Sequence, residues 1–303
     1  MLVSYSRSQL NAAGPTEVSD ALERGHIVHF PETPFPLPSP DDVHLLLIDV
    51  PKRIRLKNVS YHPEVDAVLG LKGDPDLKAS ITRILKGYSE QVQALLRRHT
   101  PALVPDWQVA TCSFRPIQEQ GRKLKPHASN ELIHIDAGAY GATHGKRILR
   151  FFTNMHPTES RIWTSKGSFA DLFPRFRAAA GMSPERLRGG LEAGAAERLY
   201  SAGVDRIAQW GFPLARFLDT SPYDRAMRRF HNYMKDDPGF RDSQEGIETF
   251  EFKPGCSWMV FTDGVSHGVT SGQFAFVQTF LIPYANCRLQ ELVPLNVIKG
   301  EAA

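Results

Sequence analysis

The amino-acid sequence predicts an α+β fold in which a core of strands follows a helical N-terminal part and is interrupted by a helical insertion. This prediction depends on two observations. Apolar residues keep helical spacing from Leu77 to Leu96. Strand-like runs rich in apolar and β-branched residues then lie on both sides of a long stretch, residues 164–246, whose pattern is typical of helices.

The N-terminal part, about residues 1–105, is expected to be mainly helical. A short helix is predicted near residues 16–24. A longer one is predicted from Asp74, as N-cap, to about His99, with a proline at its first position. The apolar stripe of this second helix indicates packing against a sheet. The run VHLLLIDV, residues 43–50, is expected to be a strand or a core segment.

The core strands are predicted in two blocks, residues 106–160 and 247–285. The first block contains the runs WQVATCSFRP, ELIHIDA and RILRFFTN, and the second contains ETFEFKPGCSWMVFTD and FAFVQTFLIP. Between the blocks, Ser183 and Ser221 each precede a proline and predict helix starts. The C-terminal residues 284–303 are expected to form an irregular strap over the core.

The composition excludes several classes of protein. Hydrophobic residues at 42% and charged residues at 23% are typical of a globular protein with an ample core. A formal net charge of +3 is too small to indicate general affinity for nucleic acid. Three cysteines at unrelated spacings favour neither a disulfide framework nor a zinc site. This cysteine pattern favours a reducing cytoplasm. No apolar run reaches about 18 residues, so the sequence predicts no membrane span.

A His-x-Asp motif suggests a metal site. His134 and Asp136 flank Ile135, and His267 lies far downstream between two strand-like runs. Side chains two positions apart on a strand point to the same side, so the pair can bind one ion. Two histidines and one carboxylate are the ligand set of many non-haem Fe(II) enzymes. On spacing alone, histidines that serve only packing or hydrogen bonding are an equal alternative.

Four longer segments surround these residues: HIDAGAYGATHGKRILRFFTNMHP, SRIWTSKGSFADLFPRF, FKPGCSWMVFTDGVSHGV and GQFAFVQTFLIP. Together they resemble the 3-hydroxylases of Kdo (3-deoxy-D-manno-oct-2-ulosonic acid). The resemblance covers about residues 111–283 and more loosely GHIVHFPETPFPL near the N-terminus. The residues before His134 and after Asp136 differ from the family pattern, so they bear on the choice of acceptor.

The resemblance implies an Fe(II)- and 2-oxoglutarate-dependent dioxygenase. It implies a double-stranded β-helix (jelly-roll or cupin-like) core in one domain spanning residues 1–303. His134, Asp136 and His267 would then bind Fe(II), with 2-oxoglutarate and O2 as co-substrates and ascorbate as a supporting reductant. The expected reaction hydroxylates the C3 methylene of Kdo in Kdo-lipid A, giving Ko, succinate and CO2.

A cation is needed for the distal carboxylate of 2-oxoglutarate, and arginine matches a carboxylate with two parallel hydrogen bonds. The strand after His267 has no basic residue. Arg150 is therefore the first candidate, with Asn154 on the same strand face as a further donor, and Arg115 is the competing cation. Gln278, a polar residue in an apolar strand, is a candidate for the same pocket.

An anionic glycolipid acceptor needs positive recognition. Arg225, Arg228 and Arg229 lie on one face of a predicted helix, with Lys235 beyond them, and are candidate contacts for the Kdo carboxylate or for lipid phosphates. Trp163 is a candidate for stacking on sugar. A solvated basic helix face and a core tryptophan are the simpler alternatives. The expected location is the cytoplasm, with peripheral contact at the inner membrane and no nucleic-acid partner.

Two other functions stay open. One is a 2-oxoglutarate dioxygenase of the same fold that acts on another acceptor, such as a protein side chain or a free small molecule. The other is a non-catalytic cupin-like binding protein whose metal-binding face is vestigial. A screen of acceptors distinguishes the first, and anaerobic binding of Fe(II) with 2-oxoglutarate distinguishes the second.

Overall fold

The computed structural model describes residues 1–73, 75–138, 141–187, 190–191, 194–209 and 219–302. The predicted N-cap residue Asp74 lies outside these ranges. The fold mixes helices with a large, mostly antiparallel sheet. The strands are β1 (Leu2–Ser4), β2 (Ile27–Phe30), β3 (Val59–His62), β4 (Ala67–Leu69), β5 (Gln108–Arg115), β6 (Arg147–Asn154), β7 (Arg161–Ser165), β8 (Glu248–Phe252), β9 (Ser257–Phe261), β10 (Gly268–Ser271) and β11 (Ala275–Ile282).

The helices lie mainly before and between these strands. They are α1 (Arg7–Ala12), α2 (Glu17–Glu23), α3 (Pro40–His44), α4 (Pro75–His99), α5 (Phe169–Phe176), α6 (Pro184–Leu187), α7 (Ala195–Gln209), α8 (Pro222–Asp236), α9 (Pro238–Arg241) and α10 (Pro294–Ala302). A π-helical turn, Leu45–Asp49, continues α3.

Two sheets form the core. Eight strands pair in the order β1-β2-β9-β6-β11-β5-β3-β4, and only β1 and β2 pair in parallel among the described strands. The smaller sheet has the order β10-β7-β8. The segment that carries the His-x-Asp motif extends the small sheet beside β10, because the backbones of His134 and His267 exchange two hydrogen bonds of 3.0 and 2.7 Å.

Aromatic side chains fill the space between the two sheets. Trp258 of β9 stacks on Phe252 of β8 with ring centroids 3.9 Å apart, and Trp163 of β7 meets Phe152 of β6 edge-on at 4.9 Å. The opposite face of the large sheet packs on α4, where the Tyr88 ring lies 4.6 Å from that of Phe276. Alternate residues of β6 and β11 therefore face two different cores.

The sequence predicted much of this architecture. The long helix α4, the strands β5, β6, β9 and β11, and the helices α5–α9 between the two strand blocks are confirmed. Ser221 caps α8 as predicted, with its side chain accepting from the backbone N–H of Asp224. The three cysteines are free and buried, as expected from their spacing. No helix in the described part of the chain is both long and apolar enough to cross a membrane.

Four expectations about local structure are wrong, wholly or in part. Of the two alternatives for residues 43–50, the strand is wrong, since they form the end of α3 and the π-helical turn, whereas the core segment is confirmed by the burial of Leu46 and Val50. The N-terminal part also contains β1–β4, short strands whose period-2 pattern is weak. Of the C-terminal residues expected to be irregular, 294–302 form α10, whereas 284–293 contain only two short 3-10 turns.

The fourth error concerns two segments, β7 and the run ELIHIDA, in which strand structure was predicted incorrectly. Strand β7 begins at Arg161, before the predicted insertion, and was not expected. The run ELIHIDA is not a full strand: only His134 makes a bridge. In both segments, pairing with a strand that is distant in sequence determines the structure. The strand propensity of the residues themselves gives no information about that partner.

Candidate metal centre

The His-x-Asp motif and His267 meet at the edge of the small sheet. One ligand atom from each of His134, Asp136 and His267 lies within 4.8 Å of the other two, and all three side chains are buried. The backbone pairing of His134 with His267 creates this proximity, and the two-residue spacing puts Asp136 on the same side. The group is the one cluster of this kind among the described residues. It fits a divalent metal ion.

Hydrogen bonds determine which nitrogen of each histidine is free. Nδ1 of His134 lies 2.8 Å from the carbonyl oxygen of Leu132, and Nδ1 of His267 lies 3.0 Å from that of Val265. Because a carbonyl only accepts, both rings donate from Nδ1 and leave Nε2 with a lone pair. This is the usual arrangement of a histidine ligand, in which the second nitrogen is held by a backbone carbonyl.

The electrostatics of the three residues suit metal binding. Burial and the neighbouring charges of His267 and Lys235 lower the pKa of His134 well below its usual value, and burial also lowers the pKa of His267. Burial would raise the pKa of Asp136, but Arg150 and the two histidines hold it well below its usual range. Neutral imidazoles beside an ionised carboxylate are the protonation states that a metal requires.

Arg150 of β6 reaches the metal cluster directly. Its Nη2 lies 3.1 Å from Oδ2 of Asp136, as an ion pair that lacks the alignment of a hydrogen bond. The other carboxylate oxygen, Oδ1, faces Nε2 of His134 at 3.8 Å. Arg150 thus holds one oxygen of Asp136 and leaves the second directed at the histidines.

Two further arginines, the buried Arg161 and the half-buried Arg115, lie beside Arg150. Arg115 of β5 and Arg161 of β7 face the same space between the sheets, and burial lowers the pKa of each to about 10. None of the three nitrogens of Arg161 has a hydrogen-bond partner, and neither does Nε of Arg115. An unsatisfied buried guanidinium is costly, so this space favours an anionic ligand.

The carboxylate of Glu119 is shared among several cations. It lies 3.6 Å from Arg161, 3.3 Å from Arg122 and 3.9 Å from Lys57. A single buried carboxylate cannot neutralise these cations together with Arg115. Arg115, Arg150 and Arg161 therefore outnumber the buried carboxylates of Glu119 and Asp136, and the space between the sheets carries excess positive charge.

Trp163 packs against the metal cluster on the side of His267. It is 1% exposed, and its ring stacks on that of His267 with centroids 5.2 Å apart. Its burial among Phe152, Trp258 and Phe252 argues against the predicted stacking on sugar. The simpler expectation, a core tryptophan, is confirmed.

Helix α8 approaches the metal cluster through His231, which was not predicted from the sequence, and through Lys235, which was named there only as lying beyond the three arginines. Nδ1 of His231 lies 2.6 Å from the carbonyl oxygen of Ile135, and its ring centroid lies 5.0 Å from that of His134. Lys235 donates to the carbonyl oxygens of Ser129 at 2.9 Å and His127 at 3.3 Å. Their four-residue spacing, which places both on one helix face, was the available signal.

Two predicted cofactor contacts do not face the site. Asn154 shares the predicted face, but its amide group donates to the carbonyls of Glu159 and Phe252 and accepts from the backbone of His156. Gln278 lies on the opposite face of β11, with Phe276 and Phe280, and therefore points toward α4. Thr279, paired with Arg150, is the residue of β11 that faces the site.

The three arginines predicted to bind acceptor lie on the exposed side of α8. Arg225 pairs with Glu197 at 3.0 Å, and Arg229 donates to the carbonyl oxygen of Ala180 at 2.8 Å. Arg228 is exposed. These contacts join α8 to its neighbouring helical segments, whereas His231 and Lys235 face the metal cluster. The arginines are thus closer to the simpler expectation of a solvated basic face.

Comparisons with known proteins agree with this geometry. A family model described as 3-deoxy-D-manno-oct-2-ulosonic acid (Kdo) hydroxylase matches residues 6–302. The chain is similar to the solved structure of the Kdo hydroxylase KdoO, a non-haem Fe(II) α-ketoglutarate dependent dioxygenase, in complex with α-ketoglutarate and Fe(III). The TM-score is 0.79 at 26% sequence identity, over 99% of this chain and 95% of that one.

Two further complexes of KdoO give the same result. The complex with succinate and Fe(III) has a TM-score of 0.78 at 26% identity, over 99% of this chain and 94% of that one. The complex with cobalt(II) has a TM-score of 0.79 at 26% identity, over 99% and 95%. A search of curated protein sequences finds no match.

Proposed function

The chain belongs to the Kdo hydroxylase family, and from this premise we propose that it is an Fe(II)- and 2-oxoglutarate-dependent dioxygenase that hydroxylates the C3 methylene of Kdo in Kdo-lipid A. The product is Ko, formed with succinate and CO2. The observation that carries the proposal is the buried cluster of His134, Asp136 and His267 beside arginines whose nitrogens are buried without hydrogen-bond partners. Together they supply a metal site and a cationic site for an anion between the two sheets.

We propose that the two sheets form a double-stranded β-helix in one domain. The central strands of the large sheet, β9-β6-β11-β5, face the small sheet β10-β7-β8, which the His-x-Asp segment extends. Strands from both sides of the helical insertion alternate in each sheet. That alternation is expected of a jelly roll, and it brings the three proposed ligands together at one end of the barrel.

The proposed iron ligands are Nε2 of His134, Nε2 of His267 and Oδ1 of Asp136. Bound Fe(II) with 2-oxoglutarate and O2 supplies the oxidant that places one oxygen atom on the substrate. The chain's own contribution is to hold the ligands. Backbone carbonyls orient both imidazoles, and Arg150 retains Oδ2 of Asp136.

We propose that the distal carboxylate of 2-oxoglutarate binds among Arg115, Arg150 and Arg161. Arg161 is the first choice because none of its three buried nitrogens has a hydrogen-bond partner and its ion pair with Glu119 is long, at 3.6 Å. Arg150 already pairs with Asp136, and Arg115 has one unsatisfied nitrogen. Thr279 lies across from Arg150 and is a neutral donor for the same ligand.

Aromatic packing and α8 would protect the reacting carbon from water. The ring of Trp163 packs on that of His267, and the ring of His231 from α8 packs on that of His134. Lys235 brings a buried positive charge to the same side, where an anionic sugar would lie. Exclusion of water strengthens these electrostatic contacts and limits stray oxidation.

The test is mass spectrometry of Kdo-lipid A incubated with the purified protein, Fe(II), ascorbate and 2-oxoglutarate. We expect one oxygen atom added to Kdo with matching succinate. His134→Ala should abolish both products, whereas His99→Ala, at the end of α4, should retain them. Succinate without oxygen on the sugar would point to another acceptor. Tight Fe(II) binding without succinate would support a binding protein.

A further inference from the structure

Two loops of this protein carry the same unusual surface pattern. Residues 52–57 read KRIRLK, and residues 122–125 read RKLK. In each loop a leucine stands between cations: Leu56 is 65% exposed and Leu124 is 38% exposed. Neither segment contains an acidic residue. We call these two segments the docking loops.

The docking loops adjoin each other although they are distant in sequence. Lys57 ends the first loop and Arg122 begins the second, and both approach the same carboxylate, Glu119, at 3.9 and 3.3 Å. The shared partner brings the two leucine-bearing segments to one side of the molecule. They form one surface instead of two separate basic runs.

Residues next to the docking loops are likewise exposed and either apolar or basic. Ile48, just before the first loop, is 45% exposed. Lys72, which is exposed, donates its backbone N–H to the carbonyl oxygen of Arg53 at 2.7 Å. Two carboxylates offset part of this charge: Asp49 lies 3.5 Å from Lys52, and Glu119 is shared by Lys57 and Arg122. The loops still carry more cations than these two carboxylates neutralise, and they bear large exposed apolar side chains.

We propose that the docking loops bind the surface of an anionic lipid bilayer. Lysine and arginine side chains would contact the phosphates, while Leu56 and Leu124 enter the boundary between headgroups and acyl chains. A nucleic acid would use the cations but would leave the leucines exposed. An acidic protein partner would need an apolar pocket for each leucine. The alternation of cation and leucine in short loops fits a fluid, anionic surface best.

Glu119 connects the docking loops to the metal centre, so that bilayer binding would help to deliver a glycolipid substrate. Glu119, the partner of Lys57 and Arg122, also lies 3.6 Å from Arg161 inside the site. The basic surface therefore continues into the basic interior. A bilayer held at the docking loops would bring the sugar of a glycolipid to the side of the protein where Glu119 joins the loops to Arg161, while its acyl chains stay in the membrane. This last step rests on the proposed function, whereas bilayer binding does not.

The experiment is co-sedimentation of the full-length protein with vesicles of phosphatidylcholine alone and of phosphatidylcholine mixed with phosphatidylglycerol. We expect sedimentation with the anionic vesicles only, weakened by salt. Leu56→Ser with Leu124→Ser, and separately Lys52→Glu with Lys123→Glu, should each lower vesicle affinity by roughly tenfold or more.

Matched control variants place the same changes elsewhere. Leu199→Ser alters a leucine that is 77% exposed on α7, and Lys78→Glu with Arg98→Glu alters exposed cations of α4. Both controls should sediment like the wild type. Wild-type protein that stays in solution, or loop variants that sediment as well as the controls, would overturn the proposal.

Activity assays separate this proposal from the proposed function. The loop variants should oxidise a lipid-free Kdo oligosaccharide at the wild-type rate but lose activity on Kdo-lipid A embedded in anionic vesicles. Equal activity of loop variants and controls on the embedded substrate would contradict the role of the loops. Vesicle binding without oxidation of any Kdo substrate would overturn the proposed function and leave the docking surface intact.

Discussion

At the residue scale, each proposed ligand is held by a neighbour that decides which atom faces the metal. The carbonyls of Leu132 and Val265 occupy Nδ1 of the two histidines. Arg150 occupies one oxygen of Asp136. The ligand atoms are therefore oriented before a metal binds, which lowers the entropy cost of forming the site.

We expect Arg161→Met to raise the KM for 2-oxoglutarate roughly ten- to hundredfold, because a charge-assisted contact to a buried carboxylate is lost. Arg161→Lys should recover part of this loss, since it keeps the charge but not the two-point geometry. Steady-state kinetics at varied 2-oxoglutarate measure the effect, with Arg175→Met, an exposed arginine, as the control. An unchanged KM in Arg161→Met beside a raised KM in Arg115→Met would transfer the role to Arg115.

A second residue-scale prediction concerns pH. Burial raises the pKa of Glu119, but Arg115, Lys57 and Arg161 together bring it below 4.5. Because the folded pKa lies below the unfolded one, the stabilisation is complete above pH 4.5 and is lost as the pH falls through the folded pKa. Glu119→Gln should therefore lower the free energy of unfolding by on the order of 3 kcal/mol at neutral pH.

Urea denaturation of the ligand-free protein across pH measures this effect. The stability difference between wild type and Glu119→Gln should shrink as the pH falls below 4.5. A difference that stays constant from neutral to acidic pH would show that Glu119 acts by packing and not by charge.

At the element scale, α8 braces the segment that carries the metal ligands. His231 and Lys235 contact backbone carbonyls on both sides of His134. The start of the helix is held by the buried carboxylate of Asp224. That carboxylate accepts hydrogen bonds from the backbone and hydroxyl of Thr143, from the backbone of His144, and from the backbone and hydroxyl of Ser221.

We expect Asp224→Ala to destabilise the protein by roughly 3 kcal/mol or more, because it leaves several buried donors without an acceptor. Thermal and urea unfolding measure the loss. Asp236→Ala is the matched control, since Asp236 ends the same helix in an exposed pair with His127 and should contribute less than about 1 kcal/mol. Equal losses in the two variants would contradict a special role for the start of α8.

At the scale of the whole molecule, the proposed ligands join parts of the chain on either side of the helical insertion. His134 and Asp136 precede β6, and His267 follows β9. A metal that binds all three is bound only by the folded protein. Metal binding and global stability are therefore linked.

We expect Co(II), a stable substitute for Fe(II), to raise the unfolding temperature by about 5 °C when present at roughly a hundredfold excess over its dissociation constant. Differential scanning calorimetry in the presence and absence of Co(II) measures the shift. Asp136→Ala should unfold at the same temperature with and without the metal. A Co(II) shift that persists in Asp136→Ala would place the binding site elsewhere.

The family resemblance and the dioxygenase activity could be recognised from the sequence because they depend on local blocks of residues. The match to the family model confirms that resemblance over residues 6–302. The strands β6, β9 and β11 were also predicted, since long apolar runs bounded by turn residues identify strands locally. Strand β7 and the His-x-Asp segment were predicted poorly because distant partners stabilise them.

By itself, the sequence determined the strand and helix blocks and the three residues that converge on one buried cluster, because a spacing of two residues already places His134 and Asp136 on one side. Only the tertiary structure decided which polar side chains share that space. The register of the strands directs Gln278 away from the metal cluster and Arg161 into the space between the two sheets. The packing of α8 brings His231 next to His134. The face that a side chain presents depends on partners far away in the chain, and local spacing carries no information about them.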